Sequence, residues 1–161
     1  MERFQIAREK ARRNIQVADH MLTITYPMVK DPKLLLAVLE NIFLAITNGM
    51  ASVLYYERLF KKIPPFHDTF ESKYNMFVAK IIPRYNIDKK ILKIIAEVRD
   101  TILEHKKSPV EFARKDSFVI CSDNYKMKKI TIEELKKYIS ETKKFLEQMN
   151  SITRKNEEIF K

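Results

Sequence analysis

The residues best suited to chemistry lie late in the chain. Arg99-Asp100-Thr101-Ile102-Leu103-Glu104-His105 sets an arginine and a histidine six positions apart, near the end of a helical pattern. A histidine near pH 6.5 can take a proton from a 2′-hydroxyl or return one to a leaving 5′-oxygen. An arginine can grip a phosphate bidentately and stabilise the charge that builds on it. Together they supply what metal-independent RNA cleavage needs. On an unbroken helix, however, six steps leave the two side chains about 120° apart. Their convergence requires the helix to end near His105, or a partner chain to complete the site. Arg13 and His20 form a second pair with one more residue between them, on one helix face and about 10 Å apart along the axis.

Other chemistries find little support. The chain has 161 residues, one Gly, one Cys and three His. A single glycine cannot build a G-x-x-x-x-G-K-[ST] or G-x-G-x-x-G phosphate cradle. One cysteine excludes an internal disulfide framework and a Cys-cluster zinc site. His20, His67 and His105 form neither H-E-x-x-H nor Glu-x-x-His patterns, so no metal or other cofactor is expected. Cys121 lies in an apolar run and reads as a small buried hydrophobe.

The Arg-x(5)-His spacing resembles the Arg-x(4–6)-His signature of the HEPN superfamily. Those proteins are helical bundles, frequently dimeric, and many are metal-independent ribonucleases of toxin–antitoxin, defence and RNA-processing systems. The resemblance implies Arg99 as phosphate ligand and His105 as general acid/base, in a cleft shared by two protomers. It implies Asp100 as the polar residue that follows the arginine. It also implies that Glu40, Asn41 and Asn48 line that cleft from a neighbouring helix. The partners implied are RNA, a second copy and an antitoxin or other protein. A β-hairpin is not a general feature of that family.

Charge agrees with a polyanion partner. Lys and Arg number 31 against 21 Asp and Glu, a formal net charge of +10. Such an excess favours RNA or DNA first and acidic membrane surfaces second. Lys106, Lys107, Arg114, Lys115, Lys126, Lys128 and Lys129 flank the α-helical pair. If the hairpin folds back, they form a phosphate-tracking patch on which Phe118 and Tyr125 can stack bases. Tyr26, Tyr55, Tyr56 and Phe66 read as core or interface aromatics.

These residues must be positioned by helices. Phe4, Ala7, Ala11, Ile15, Ala18 and Leu22 mark a first helix from Arg3 to Ile24, with Pro27 beyond its end. Asp31-Pro32 opens a second helix to Lys62, long enough for Gly49 to bend it. Leu34 to Tyr56 holds only one charge, Glu40, and is long enough to span a bilayer. Its Asn41, Asn48 and Tyr55, spaced by seven, favour instead a core helix with a buried polar seam. A third helix is expected over His67–Ile82, stopped by Pro83, and a fourth from Asp88 to Lys107. Ser108-Pro109-Val110-Glu111 has the spacing of a capping box and predicts a short helix to about Arg114.

A β-hairpin follows over about 117–130, turning at Ser122-Asp123-Asn124. Thr131-Ile132-Glu133-Glu134 then caps a last helix carrying Ile132, Leu135, Ile139, Leu146 and Met149 on one face. The polar tail 154–161 should fray. The expectation is a mainly α protein: one domain over 1–161, an up-and-down bundle of four to six helices with a hairpin before the last. A charged start, Met1-Glu2-Arg3, and a lone thiol suggest the cytoplasm and no membrane span. The alternative function is a non-enzymatic module for helical oligomerisation or protein interaction.

Overall fold

The computed structural model describes residues 1–107, 110–114, 117–121 and 127–155. The chain is mainly helical, with a small antiparallel sheet before its last helix. Helix α1 covers Arg3–His20, a π-helical turn Met21–Thr25 follows, and α2 covers Tyr26–Val29. Next come α3 (Lys33–Leu59), α4 (Phe70–Met76), a second π-helical turn Phe77–Ile81, α5 (Ile82–Tyr85) and α6 (Lys90–Lys107). Strands β1 (Val110–Arg114), β2 (Ser117–Cys121) and β3 (Met127–Thr131) lead into α7 (Ile132–Thr153).

The apolar residues expected to share a face of α1 do so. Phe4, Ala7, Ala11, Ile15 and Ala18 are all buried. They pack on α3, the most apolar helix, which sits at the centre of the fold. Leu35, Val38, Ile42, Ala45, Ile46, Val53 and Leu54 of α3 are fully enclosed. Arg3 bonds Tyr55 and Asn14 bonds Asn48, so α1 and α3 run antiparallel. Lys143 reaches Asp19 and Arg8 reaches Thr153, so α7 lies antiparallel to α1, and it packs on α3 as well. Helix α3 is long and apolar enough to cross a membrane by length and composition; 56% of its most apolar window is buried inside the fold.

The prolines depart from expectation. Pro27 and Pro83 lie inside helical stretches instead of beyond them. A proline lacks the N–H that bonds back along a helix, and its ring collides with the carbonyl four residues earlier. In both places a five-residue π-helical turn precedes the proline by one residue, and its wider winding relieves that conflict. Each helical stretch then ends three residues after its proline, in a left-handed residue: Lys30 (φ 55°) and Asn86 (φ 51°).

Gly49 has a role other than bending. A methyl group built on it would stand 2.6 Å from Leu146 Cδ2 and 3.2 Å from Phe145 Cε1. The missing side chain is what lets α7 approach α3 closely. The sheet also differs from expectation. The hairpin is present as β2 and β3, but β1 adds a third strand, in the order β1-β2-β3. The short helix expected at 108–114 is therefore replaced by β1, paired with β2 from Val110 opposite Cys121 to Arg114 opposite Ser117. The cause is burial of β2. Phe118, Val119 and Ile120 are all buried, and a strand covered on both faces takes backbone partners on both edges. Residues 108–109 and the expected turn at 122–124 lie outside the described residues.

A buried carboxylate ties the end of α3 to α5. Glu57 is fully enclosed. The Tyr85 hydroxyl donates to its Oε1, and Arg84 Nη1 lies 3.1 Å from its Oε2. Burial, then the bond to Glu57, pushes the Tyr85 phenol well above its usual range. A buried carboxylate needs such partners, because desolvation would otherwise cost several kcal/mol.

The Gly49 contact gives a stability prediction. Gly49→Ala gains about 1 kcal/mol of helix propensity, but overpacking a closed core costs about 1–3 kcal/mol. Leu146 and Phe145 are themselves buried, so the net effect should be destabilisation by about 1 kcal/mol in urea unfolding. A variant more stable than wild type would show that α7 yields freely at this point.

Candidate functional site

Helix α6 runs unbroken past both members of the Arg99–His105 pair. The two side chains accordingly meet different neighbours. The Arg99 guanidinium is ion-paired to Glu71 of α4 and lies 4.6 Å from the ring centre of Phe70. His105 is half-buried and meets the ring of Phe118 of β2 edge-on, with centres 6.4 Å apart. Asp100 is exposed. Among the described residues, the contacts of Arg99 lie on α4 and the ring contact of His105 lies on β2. The side chains of Lys106, Lys107, Arg114 and Lys128, and all of Lys115, Tyr125 and Lys126, lie outside the described residues. Lys129 is exposed.

The α1 pair is also outward-facing. Arg13 and His20 are both exposed, and Arg13 Nε lies 3.8 Å from Glu9 Oε1. The polar stripe of α3 is not the buried seam expected. Glu40 is exposed, whereas Asn41, Thr47, Asn48 and Tyr55 are half-buried. Asn41 donates to the Ala37 carbonyl at 2.9 Å, and Asn48 donates to Asn14 Oδ1 at 2.9 Å. Helix α3 buries most of its girth against α1, α6 and α7, so its polar stripe is left at the surface beside α1.

Asn48 and Tyr55 of that stripe, with Ala51 between them, form one wall of a groove of about 270 Å³. Arg3, Ile6, Ala7 and Lys10 of α1 form the opposite wall, and Asp68 and Lys73 close one end. Tyr55 is its hub. Arg3 donates to the Tyr55 hydroxyl at 3.3 Å, and its guanidinium carbon lies 4.3 Å from the ring centre. Lys73 Nζ lies 5.5 Å from the same centre. Both are cation–π distances. The Tyr55 hydroxyl donates to Asp68 Oδ1 at 3.2 Å, and Lys73 Nζ stands 2.5 Å from that same oxygen. Phe66 stacks on Tyr55 with ring centres 5.8 Å apart.

Two further hollows, of about 340 and 160 Å³, share Arg3 and Tyr55 with this groove and bring in Arg58 and Lys61. The joined cleft has five cationic side chains, Arg3, Lys10, Arg58, Lys61 and Lys73. Its two acids are Glu2 and Asp68. The bond from Lys73 holds the Asp68 carboxyl below its usual range. Burial works against the Lys73 ammonium, but Asp68 and Tyr55 together more than offset this and raise its pKa. The arrangement suits an anion. Among the described residues, no group of three or more His, Cys, Asp or Glu side chains is placed to hold a metal ion.

Sequence reasoning missed Arg3, Lys10, Arg58, Lys61, Asp68 and Lys73. It read Tyr55 and Phe66, with Tyr26 and Tyr56, as core or interface aromatics; Tyr26 and Tyr56 are buried in the core, and Tyr55 and Phe66 pack against it while also edging the cleft. A signal was available. Arg3 and Lys10 are seven apart, as are Asn48 and Tyr55, so each pair shares a face of its helix. Comparison with family models, with characterised proteins and with solved structures gives no match for this chain.

The Asp68 tie has a definite pH signature. Because its carboxyl is held below the ordinary 3.8, whatever it adds to loop stability is present above that pH. It is lost as pH falls through the lowered value. A carboxyl NMR titration should place the Asp68 midpoint below 3.8, and Lys73→Ala should move it upward. A midpoint unchanged by Lys73→Ala would mean that the pair does not form in solution.

Proposed function

We propose that this protein binds RNA, with the α1–α3 groove as its phosphate-contacting surface. The observation that carries this reading is the gathering of Arg3, Lys10 and Lys73 around Tyr55 against the single carboxylate of Asp68. The formal net charge of +10 supports it. Polyanion binding draws most of its affinity from such cations, through release of counterions. The half-buried Phe66 and Tyr55 rings add an aromatic edge to the same cleft.

A HEPN-like relationship remains part of the proposal, supported by the helical bundle and the Arg99–His105 spacing. Cleavage through that pair requires a second protomer, since in one chain Arg99 is engaged by Glu71 and His105 by Phe118. A homodimer has a candidate surface. Val17, Ile24, Met28 and Leu44 are 45%, 51%, 81% and 46% exposed, and all belong to the α1–α3 hairpin and its connection. That same apolar stretch favours the second reading, a non-enzymatic interaction module.

The test is RNA binding across a salt series, with cleavage followed in excess EDTA. An Arg3→Ala/Lys10→Ala variant should bind more weakly, and its log K against log salt slope should be shallower by about 1.4 for single-stranded RNA. Arg99→Ala and His105→Ala should bind normally and lose any cleavage seen in wild type. Equal salt slopes in wild type and the groove variant would mean that the groove does not contact the RNA backbone. No RNA binding at low salt would leave the interaction-module reading.

A further inference from the structure

The Asp68 carboxylate stands in an unusual place. It is the one acid lining the α1–α3 groove among the described residues, and a single oxygen, Oδ1, receives both the Tyr55 hydroxyl and the Lys73 ammonium. Arg3 holds the other side of the same hydroxyl and adds its charge to the field on Asp68. Two donors thus converge on one carboxylate oxygen, with the Arg3 guanidinium bonded to the first of them and close enough to act on it through its charge. Convergent donors of this kind are how proteins bind phosphate, whose oxygens accept several charge-assisted bonds at once.

Asp68 is a replaceable occupant. Its side chain is 70% exposed, whereas Lys73 is only 23% exposed. It belongs to the segment between α3 and α4, just before the Thr69 cap, and not to the core. Thr69 caps α4 by accepting from the Ser72 N–H at 3.2 Å, so α4 stays anchored whether or not Asp68 turns outward. Lys73, by contrast, is fixed on α4 and Tyr55 on α3. The donors are therefore held by helices and the acceptor by a loop.

We infer that the Arg3–Tyr55–Lys73 cluster is a phosphate-binding site in which Asp68 serves as an internal stand-in for the ligand. A phosphate oxygen arriving in the groove takes over the bonds from Tyr55 and Lys73, and Asp68 turns out to solvent. Lys10, lining the same groove, then faces the bound anion. Asp68 thereby weakens binding of any phosphate that competes poorly with it. This deepens the RNA-binding reading and rests on it for the source of the phosphate. The chemistry is common to a terminal phosphomonoester and to an internal phosphodiester of single-stranded RNA.

The experiment compares wild type, Asp68→Asn, Asp68→Ala and Arg3→Ala. The probes are inorganic phosphate, followed by its 31P line width, and a ten-nucleotide single-stranded RNA with a 5′-phosphate or a 5′-hydroxyl, followed by fluorescence anisotropy. Both Asp68 variants should bind phosphate and RNA about twofold to fivefold more tightly, the range expected on losing one exposed competing charge pair. Arg3→Ala should bind all probes more weakly. Preference for the 5′-phosphate form would identify a terminal monoester as ligand, and equal affinity would identify the chain phosphodiester; either supports the site. If both Asp68 variants bind no more tightly while folded by circular dichroism, the inference is overturned. Phosphate binding that tightens in the Asp68 variants without any RNA binding would keep the site and overturn the RNA reading. RNA binding unmoved by all three substitutions would do the reverse.

Discussion

The burial of α3 is the constraint from which the rest of the structure follows. A helix with one charge between Leu34 and Tyr56 cannot be left in water, and the other elements are arranged to cover it. Helix α1 lies antiparallel along one side, α7 presses against Gly49, and α6 and the sheet close further sides. Each fully enclosed leucine or isoleucine contributes about 1.5–3 kcal/mol relative to an exposed one. The α3 helix buries many such residues, so the surface it does not bury carries information. That surface is the polar stripe of Asn41, Asn48 and Tyr55, and next to it the exposed Leu44.

Core and groove are therefore two consequences of one helix. Apart from Ser52 and Glu57, the buried side chains of α3 are apolar, whereas its groove wall carries the Asn48 amide and the Tyr55 phenol. Antiparallel packing then sets Arg3 beside Tyr55 and Asn14 beside Asn48. The cations of α1 come to rest over a polar wall that cannot neutralise them. Local ties keep the ends of this assembly in place: Glu57 with Arg84 and Tyr85 at the end of α3, and Glu97 accepting from the Tyr138 hydroxyl at 2.8 Å between α6 and α7. Burial raises Glu134 beside them, with the Glu97 charge adding to it.

Much of this was legible in the residues. Helical periodicity marked α1, α3, α6 and α7 because each has a long apolar stripe, and Thr131 marked the start of α7, accepting from the Glu134 N–H at 3.3 Å. Pro27 and Pro83 misled because a proline normally ends a helix, and the π-turn that accommodates one has no simple sequence signature. Ser108 to Glu111 misled because a capping box is local, whereas β1 forms by pairing with a strand that comes later in the chain. The Arg99–His105 spacing was visible, but which neighbours each side chain meets was not. The groove escaped for a related reason. Arg3 and Tyr55 are 52 residues apart, and only the helix pairing brings them together.

The most direct test of the groove as the functional surface is amide chemical-shift mapping with a short single-stranded RNA. Perturbations are expected at Arg3, Lys10, Asn48, Tyr55, Asp68 and Lys73, in a patch crossing α1, α3 and the start of α4. Perturbations confined to Arg99, His105 and their neighbours on α6, with the groove residues unmoved, would contradict that role.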